Sequence, residues 1–223
     1  MSENLSLEMD LDSSRKRLLK YTRRAFKSLP KLDKPRVLDV GCGSGVVTIE
    51  LARLSNGVVT GIDIDQSILD VLNRKIERES LSNRVQTKKC SMVELDFSNE
   101  SFDIIWAEGS LHAIGFERGL EKWRRLLKPN GFLVVHDEIR SVTDKLVKIH
   151  NLGYRLADHF LLPENAWWTE YYRPLENRIR ELRERYRSAP EALRILGKVQ
   201  NEIDMVKRSP KEYRSAFYIM QRK

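Results

Sequence analysis

Three glycines, at positions 41, 43 and 45, form the most informative pattern in the sequence. They follow a short apolar run, 36–40, which is typical of a buried strand, and they precede helical spacing over 46–54. Because glycine has no Cβ, such a loop can turn sharply and approach a ligand closely. The spacing predicts a nucleoside-binding loop. A dinucleotide fingerprint would need glycine at position 46, where this chain has Val46, and this counts against nicotinamide or flavin.

Strands and helices alternate around this loop. The patterns predict strands at 36–40, 58–62, 85–89, 102–107, 132–136, 153–162 and 214–221, and helices at 46–54, 66–80, 117–127 and 142–151. A turn is predicted at 128–131. Regular alternation favours a parallel sheet with right-handed crossovers and helices on both faces.

Five motifs in order resemble those of the class I S-adenosylmethionine-dependent methyltransferases of the type 11/25-like group. They are 38–45, Asp63 at the end of the second strand, 89–92, 101–107 and 126–133. The resemblance implies a Rossmann-like α/β fold with a seven-stranded mixed sheet, in which six strands are parallel and the last is antiparallel. It also implies S-adenosylmethionine as cofactor and S-adenosylhomocysteine as product.

The resemblance assigns cofactor binding to nine residues: Asp39, Gly41, Cys42, Gly43, Asp63, Ile64, Ser91, Met92 and Glu108. Asp63 is expected to accept hydrogen bonds from both ribose hydroxyls. Asp39 either fixes the glycine loop or faces the sulfonium end, and Ile64 either packs on the adenine or belongs to the core. Cys42 has no evident base beside it and is interpreted as a small filler whose backbone lines the site. Many relatives have Gly-Asp where this chain has Cys90-Ser91, so the Ser91 hydroxyl is the remaining acceptor for the adenine amine.

Candidate catalytic groups follow the fourth and fifth strands. They are Glu108, His112 and His136, any of which is a possible base if the methyl acceptor is an OH, NH or acidic CH. Alternation places His136 and Glu138 on one side of their strand, where a structural hydrogen bond is the other interpretation of the histidine.

The segments outside the core are expected to enclose the site. We predict an N-terminal helical segment, 1–34, that covers the cofactor site, a core of 35–162 and 209–223, and a helical insert, 163–208, that caps the active-site face. Four aromatic residues near the start of the insert either anchor it or line an acceptor pocket: Trp167, Trp168, Tyr171 and Tyr172.

Charge and composition restrict the class of protein. The chain has 223 residues with 40 Lys and Arg against 32 Asp and Glu, a net charge of +8. The excess lies in the flanks, and residues 15–27 contain seven basic and no acidic residues. In the C-terminal flank, Glu176–Arg180 and Glu181–Arg185 have the spacing of helical ion pairs. The chain has no long apolar run, secretory signal, metal-ligand cluster or cysteine framework, so a cytoplasmic protein without a membrane partner is expected, as a monomer or homodimer.

These observations predict a methyltransferase that acts on a small-molecule acceptor. One alternative is an RNA or protein methyltransferase of the same fold that uses the basic flanks. The Asn/Asp-Pro-Pro-Tyr motif of amino-methylating DNA enzymes is missing, since Ala107–Ser110 stands in its place, and a nucleic-acid partner is not favoured. The other alternative is a protein that binds S-adenosylmethionine without turnover.

Overall fold

The structure is a computed structural model that describes Leu5 and residues 8–223. The chain forms two compact units. The sheet unit comprises Tyr21–Leu161 and Ser215–Lys223, and the helical unit comprises the chain up to Lys20 together with Leu162–Arg214. The predicted segment boundaries and the covering and capping roles of the outer segments stay predictions.

The sheet unit contains seven strands in the order β3-β2-β1-β4-β5-β7-β6. The strands are β1 (Arg36–Val40), β2 (Val58–Asp63), β3 (Val85–Lys89), β4 (Phe102–Glu108), β5 (Leu127–Glu138), β6 (Tyr154–Leu161) and β7 (Ser215–Arg222). Strands β1 to β5 pair in parallel, whereas β7 is antiparallel to both β5 and β6. The predicted fold class, six parallel strands and an antiparallel last strand, is confirmed.

The described helices are α1 (Leu11–Arg17), α2 (Leu19–Lys27), α3 (Val46–Ser55), α4 (Gln66–Arg78), α5 (Phe116–Arg124), α6 (Val142–Asn151), α7 (Arg173–Arg185) and α8 (Pro190–Arg208). On one face of the sheet, α5 and α6 bury Trp123 and Ile149 against Leu38 and Ile105. Helix α3 lies on the other face. The central strands β1 and β4 therefore bury both their faces, which explains their continuous apolar runs.

Strand β5 begins earlier than its sequence predicts. The pattern at 128–131 predicts a turn after a helix that reaches residue 127, but α5 ends at Arg124 and β5 already begins at Leu127. A register shift accommodates the extra residues, because Phe102 pairs with Leu127 and Ile104 with Phe132. The turn residues therefore form an irregularity within β5, and the positions on either side of them pair with β4.

The helical unit has its own core, to which α7 contributes Leu175, Ile179 and Leu182. Helical spacing predicts that Glu176 and Glu181 of α7 pair with arginines four residues later, but both carboxylates bind other side chains. The Glu176 carboxylate accepts from Lys207 at 2.5 Å, and the Glu181 carboxylate from Arg178 at 2.9 Å. Contacts with neighbouring side chains replace the expected pairs, since one exposed helical pair contributes only a few tenths of a kcal/mol.

None of the helices in the described part of the chain combines the length and apolar character that crossing a bilayer requires.

Candidate functional site

The glycine loop lies between the ends of β2 and β4. The N–H groups of Gly41 and Cys42 both donate to the carbonyl of Ile62 at 2.9 Å. Gly41 has a φ of +72°, and a Cβ there would lie 2.5 Å from the Cβ of Ser110. The Ser110 hydroxyl donates to the carbonyl of Val40 at 2.7 Å. Only glycine satisfies both the backbone angle and the close approach at position 41.

Asp63 connects the loop to the end of β2. One carboxylate oxygen accepts from the N–H of Gly43 at 3.0 Å, and the other accepts from the N–H of Asp65 at 3.1 Å. The carbonyl of Asp63 accepts from the N–H of Cys90 at 2.9 Å, which also fixes the segment after β3. Backbone donors thus hold this half-buried carboxylate in one orientation.

A cavity of about 220 Å³ opens beside Asp63 at the carboxyl edge of the sheet, and we call it the edge cavity. Its lining is mostly apolar, with Asp63 and Ser91 as the polar side chains. The lining residues are Gly41, Ile62, Asp63, Ile64, Cys90, Ser91, Met92, Val93, Ala113 and Ile114. A concave apolar site with a few fixed polar groups suits a flat ring attached to a hydroxylated sugar.

Five predicted cofactor-binding residues meet in this cavity: Gly41, Asp63, Ile64, Ser91 and Met92. Ile64 is 69% exposed, so it is not part of the core. The Met92 carbonyl accepts from the indole N–H of Trp123 at 2.9 Å, and the Ser91 hydroxyl accepts from the N–H of Val93 at 3.4 Å. These bonds shape the wall of the cavity opposite Asp63.

Asp39 and Cys42 lie beneath the loop. Asp39 is buried, and its carboxylate accepts from the hydroxyl of Thr48 at 2.7 Å, which ties β1 to α3. Burial, together with the carboxylates of Asp39 and Asp63, raises the pKa of the Cys42 thiol well above its usual range. A thiol that stays protonated is a poor nucleophile, and this supports its interpretation as a filler.

The candidate catalytic residues differ in exposure. Glu108 is half-buried at the end of β4, where its carboxylate accepts from the indole N–H of Trp106 at 2.7 Å. His112 is exposed on the short helical turn Leu111–Ala113. His136 is buried, with its Nε2 2.8 Å from the Ser215 hydroxyl, and this contact supports the structural interpretation of the histidine. The catalytic roles of the three residues stay predictions.

The four aromatic residues of the predicted acceptor pocket belong to the helical unit. Tyr172 is buried, and the rings of Trp167, Trp168 and Tyr171 are half-buried. Tyr171 contacts Tyr172 edge to face, with ring centroids 5.0 Å apart, and Trp167 lies 5.8 Å from Tyr171. The rings of Trp167, Tyr171 and Tyr172 pack on one another, and contact of the four residues with an acceptor stays a prediction.

Two residues with a local function were missed by the sequence reasoning. Thr48, two residues into α3, bonds Asp39, and Trp106 bonds Glu108. Strand alternation places 106 and 108 on one face, so the second pair was detectable from the sequence. Among Leu5 and residues 8–223, no three His, Cys, Asp or Glu side chains form a group that could hold a metal ion.

Residues 37–131 match the family model described as "Methyltransferase domain". A similar curated protein, 27-O-demethylrifamycin SV methyltransferase of Amycolatopsis mediterranei, is 31% identical over 53% of this chain and 44% of its own length. The chain spans about half the length of these curated relatives.

Two solved structures share the fold. A methyltransferase from Geobacter sulfurreducens, determined with S-adenosyl-L-homocysteine, gives a TM-score of 0.74 at 19% identity and covers 91% of this chain and 90% of its own. The [4+2]-cyclase SpnF gives 0.77 at 19% identity, over 91% of this chain and 80% of its own. The chain therefore shares the fold of these two structures, and its residues 37–131 are similar to a methyltransferase domain.

Proposed function

We propose that this protein is an S-adenosylmethionine-dependent methyltransferase that acts on a small-molecule acceptor. The observation that carries the proposal is the Asp63 carboxylate, held by the N–H of Gly43 at the mouth of the edge cavity. A carboxylate in this position accepts the vicinal hydroxyls of a ribose, and the apolar cavity beside it receives the base. The residues present therefore fit the nucleoside part of the cofactor.

When bound, the cofactor supplies a methyl group on a positively charged sulfur, which an acceptor attacks in line. The residues of the chain bind and orient the cofactor. Asp63 holds the ribose, and Met92 and Ile64 enclose the base. Gly41 allows the backbone to pass close to the ligand. Correct orientation of two reactants accounts for a large part of such a barrier, up to about 7–11 kcal/mol.

Glu108 is the group that we assign to the reacting end of the site. It lies at the end of β4, level with His136 on β5. A carboxylate here either stabilises the positive charge of the cofactor or takes a proton from the acceptor. His112, on the exposed turn after β4, is the second candidate for contact with the acceptor.

A small-molecule acceptor is supported by the relative that methylates a demethylrifamycin, and by the missing base-orienting motif after β4. The basic residues 15–27 favour the alternative of an RNA or protein acceptor. The cytoplasmic location and the oligomeric state, monomer or homodimer, stay predictions from the sequence.

The test is transfer of a labelled methyl group from S-adenosylmethionine into a cell extract, which is then fractionated into small molecules, RNA and protein. We expect label among the small molecules, and loss of that label with Asp63→Ala. Label found only in RNA or only in protein would overturn the choice of acceptor. Binding of S-adenosylhomocysteine without transfer into any fraction would favour a protein that binds the cofactor without methyl transfer.

A further inference from the structure

Trp106 has a buried indole N–H that is directed at Glu108, the last residue of β4. Trp106 is 0% exposed, and its indole N–H donates to a carboxylate oxygen of Glu108 at 2.7 Å. A buried indole needs an acceptor for its N–H, and a charged acceptor makes the stronger hydrogen bond. Because the two residues are separated by one position in β4, their side chains lie on the same face of the sheet.

Neighbouring rings fix the plane of this indole. The ring centroid of Phe26 of α2 lies 6.2 Å from that of Trp106, and the ring centroid of Phe217 of β7 lies 6.4 Å from it. Phe217 is itself stacked on His136, with centroids 4.5 Å apart and an interplanar angle of 6°. A ring packed in this way keeps its rotamer, so the bond to Glu108 has a fixed direction.

The strand register places Glu108 beside the cofactor site. Val40 pairs with Ile62, and Asp39 pairs with Trp106. The next positions along these strands bring Gly41 level with both Asp63 and Glu108. Since adjacent strands are about 4.8 Å apart, Glu108 lies about 10 Å along the edge from Asp63. A nucleoside whose ribose is bound by Asp63, and whose chain extends past Gly41, presents that chain to Glu108.

We propose that Trp106 is a positioning residue, which holds the Glu108 carboxylate toward the positively charged end of the cofactor. The inference depends on the proposed function, because it needs S-adenosylmethionine in the edge cavity. A carboxylate that is oriented before binding stabilises the sulfonium without reorganisation. The pair therefore favours S-adenosylmethionine, with its positive sulfur, over S-adenosylhomocysteine, whose sulfur is neutral.

The experiment measures the affinity of both ligands by calorimetry for the wild type, Trp106→Phe, Glu108→Gln and the double variant. We expect Glu108→Gln to weaken S-adenosylmethionine binding about ten-fold and S-adenosylhomocysteine binding less. Trp106→Phe is expected to shift the ratio of the two affinities in the same direction, by about three- to ten-fold. The double variant should bind no more weakly than Glu108→Gln alone, because the indole acts through the carboxylate.

Tyr154→Phe is the control. Tyr154 is also 0% exposed, and its hydroxyl donates to the carbonyl of Leu120 at 2.9 Å, but it belongs to the core on the opposite face of the sheet and does not line the edge cavity. This variant loses a buried donor away from the site, so it reports the general cost of such a loss. It should leave the ratio of the two affinities unchanged, and thermal unfolding of each variant checks that the fold persists.

Three results would overturn the proposal. They are additive losses in the double variant, an unchanged affinity ratio in Trp106→Phe, or no effect of Glu108→Gln on S-adenosylmethionine binding. Failure of the proposed function looks different, since the wild type itself would then bind neither ligand.

Discussion

Two of the concave regions of the sheet unit differ in size and in chemistry. The edge cavity has a volume of about 220 Å³, and a groove between α5 and α6 measures about 770 Å³. The edge cavity is lined by apolar side chains, glycine backbone and one oriented carboxylate. The α5–α6 groove is lined largely by charged side chains: Glu117, Arg118, Glu121, Lys122, Glu138, Arg140, Asp144, Lys145 and Lys148.

Many charges of the α5–α6 groove pair with one another. Lys148 contacts Glu117 at 2.6 Å, and Arg140 contacts Glu138 at 2.5 Å. Exposed pairs of this kind rearrange at little cost. The polar groups of the edge cavity instead accept from backbone N–H groups: Asp63 from Gly43 and Asp65, and Ser91 from Val93. Fixed geometry, and not volume, therefore marks the candidate binding site.

The largest expected difference between the two regions is in cofactor affinity. Removing the carboxylate with Asp63→Ala deletes hydrogen bonds to a charged acceptor, so we expect the affinity for S-adenosylmethionine to fall about ten- to a hundred-fold. Glu117→Ala in the α5–α6 groove removes a carboxylate of similar chemistry and should leave the affinity unchanged. Calorimetry on both variants makes the comparison, and equal losses would contradict it.

A second difference concerns two glycines with positive φ angles. Gly41 has a φ of +72° and Gly115, at the α5–α6 groove, has +85°, so alanine at either position is strained and costs about 1–3 kcal/mol of folding stability. At Gly41 the added Cβ also meets Ser110 at 2.5 Å, whereas nothing lies within 4 Å at Gly115. We expect Gly41→Ala to lose about 1–3 kcal/mol more than Gly115→Ala because of this overlap. Urea unfolding measures both, and equal losses would show that Ser110 moves aside freely.

The two cysteines are expected to react differently with an alkylating reagent. Cys42 is buried, and its thiol pKa is raised by burial and by the carboxylates of Asp39 and Asp63, so it carries almost no thiolate at mildly alkaline pH. Cys90 is half-buried and lines the edge cavity. Mass spectrometry after brief labelling should find Cys90 modified and Cys42 intact, with both modified in denaturant. Equally rapid labelling of Cys42 in the native protein would be inconsistent with the burial of its thiol in the glycine loop.

The smallest expected effect is on the pH dependence of stability, through Tyr218, which packs on Phe116 at the α5–α6 groove. Burial, with the Asp137 carboxylate, raises the pKa of Tyr218 from 10.0 to about 12. Since the unfolded chain ionises first, the stability that the neutral phenol contributes is fully present below pH 10.0 and is lost as the pH rises toward about 12. Tyr218→Phe should therefore make the alkaline decline in unfolding free energy shallower. The same slope in both proteins would show that Tyr218 does not ionise differently on unfolding.

Local patterns predicted much of the sheet and part of the site. The glycine loop, Asp63 and the alternation of strands and helices were found because each depends on residues close together in the sequence. The predicted start of β5 was wrong, because residues 128–131 have the local pattern of a turn but lie within β5, between the positions that pair with Phe102 and Ile104. The expected pairing of Glu176 was also wrong, since Lys207 on α8 reaches its carboxylate.

By itself the sequence determined the order of the elements, the glycine loop and the acidic residue that ends β2. Only the tertiary structure decided that Asp63, Gly41, Glu108 and His136 lie level across four adjacent strands. It also decided that a buried indole orients Glu108 and that His136 bonds Ser215. The physical reason is that strand register and side-chain packing join residues far apart in the chain, and no local periodicity specifies those contacts.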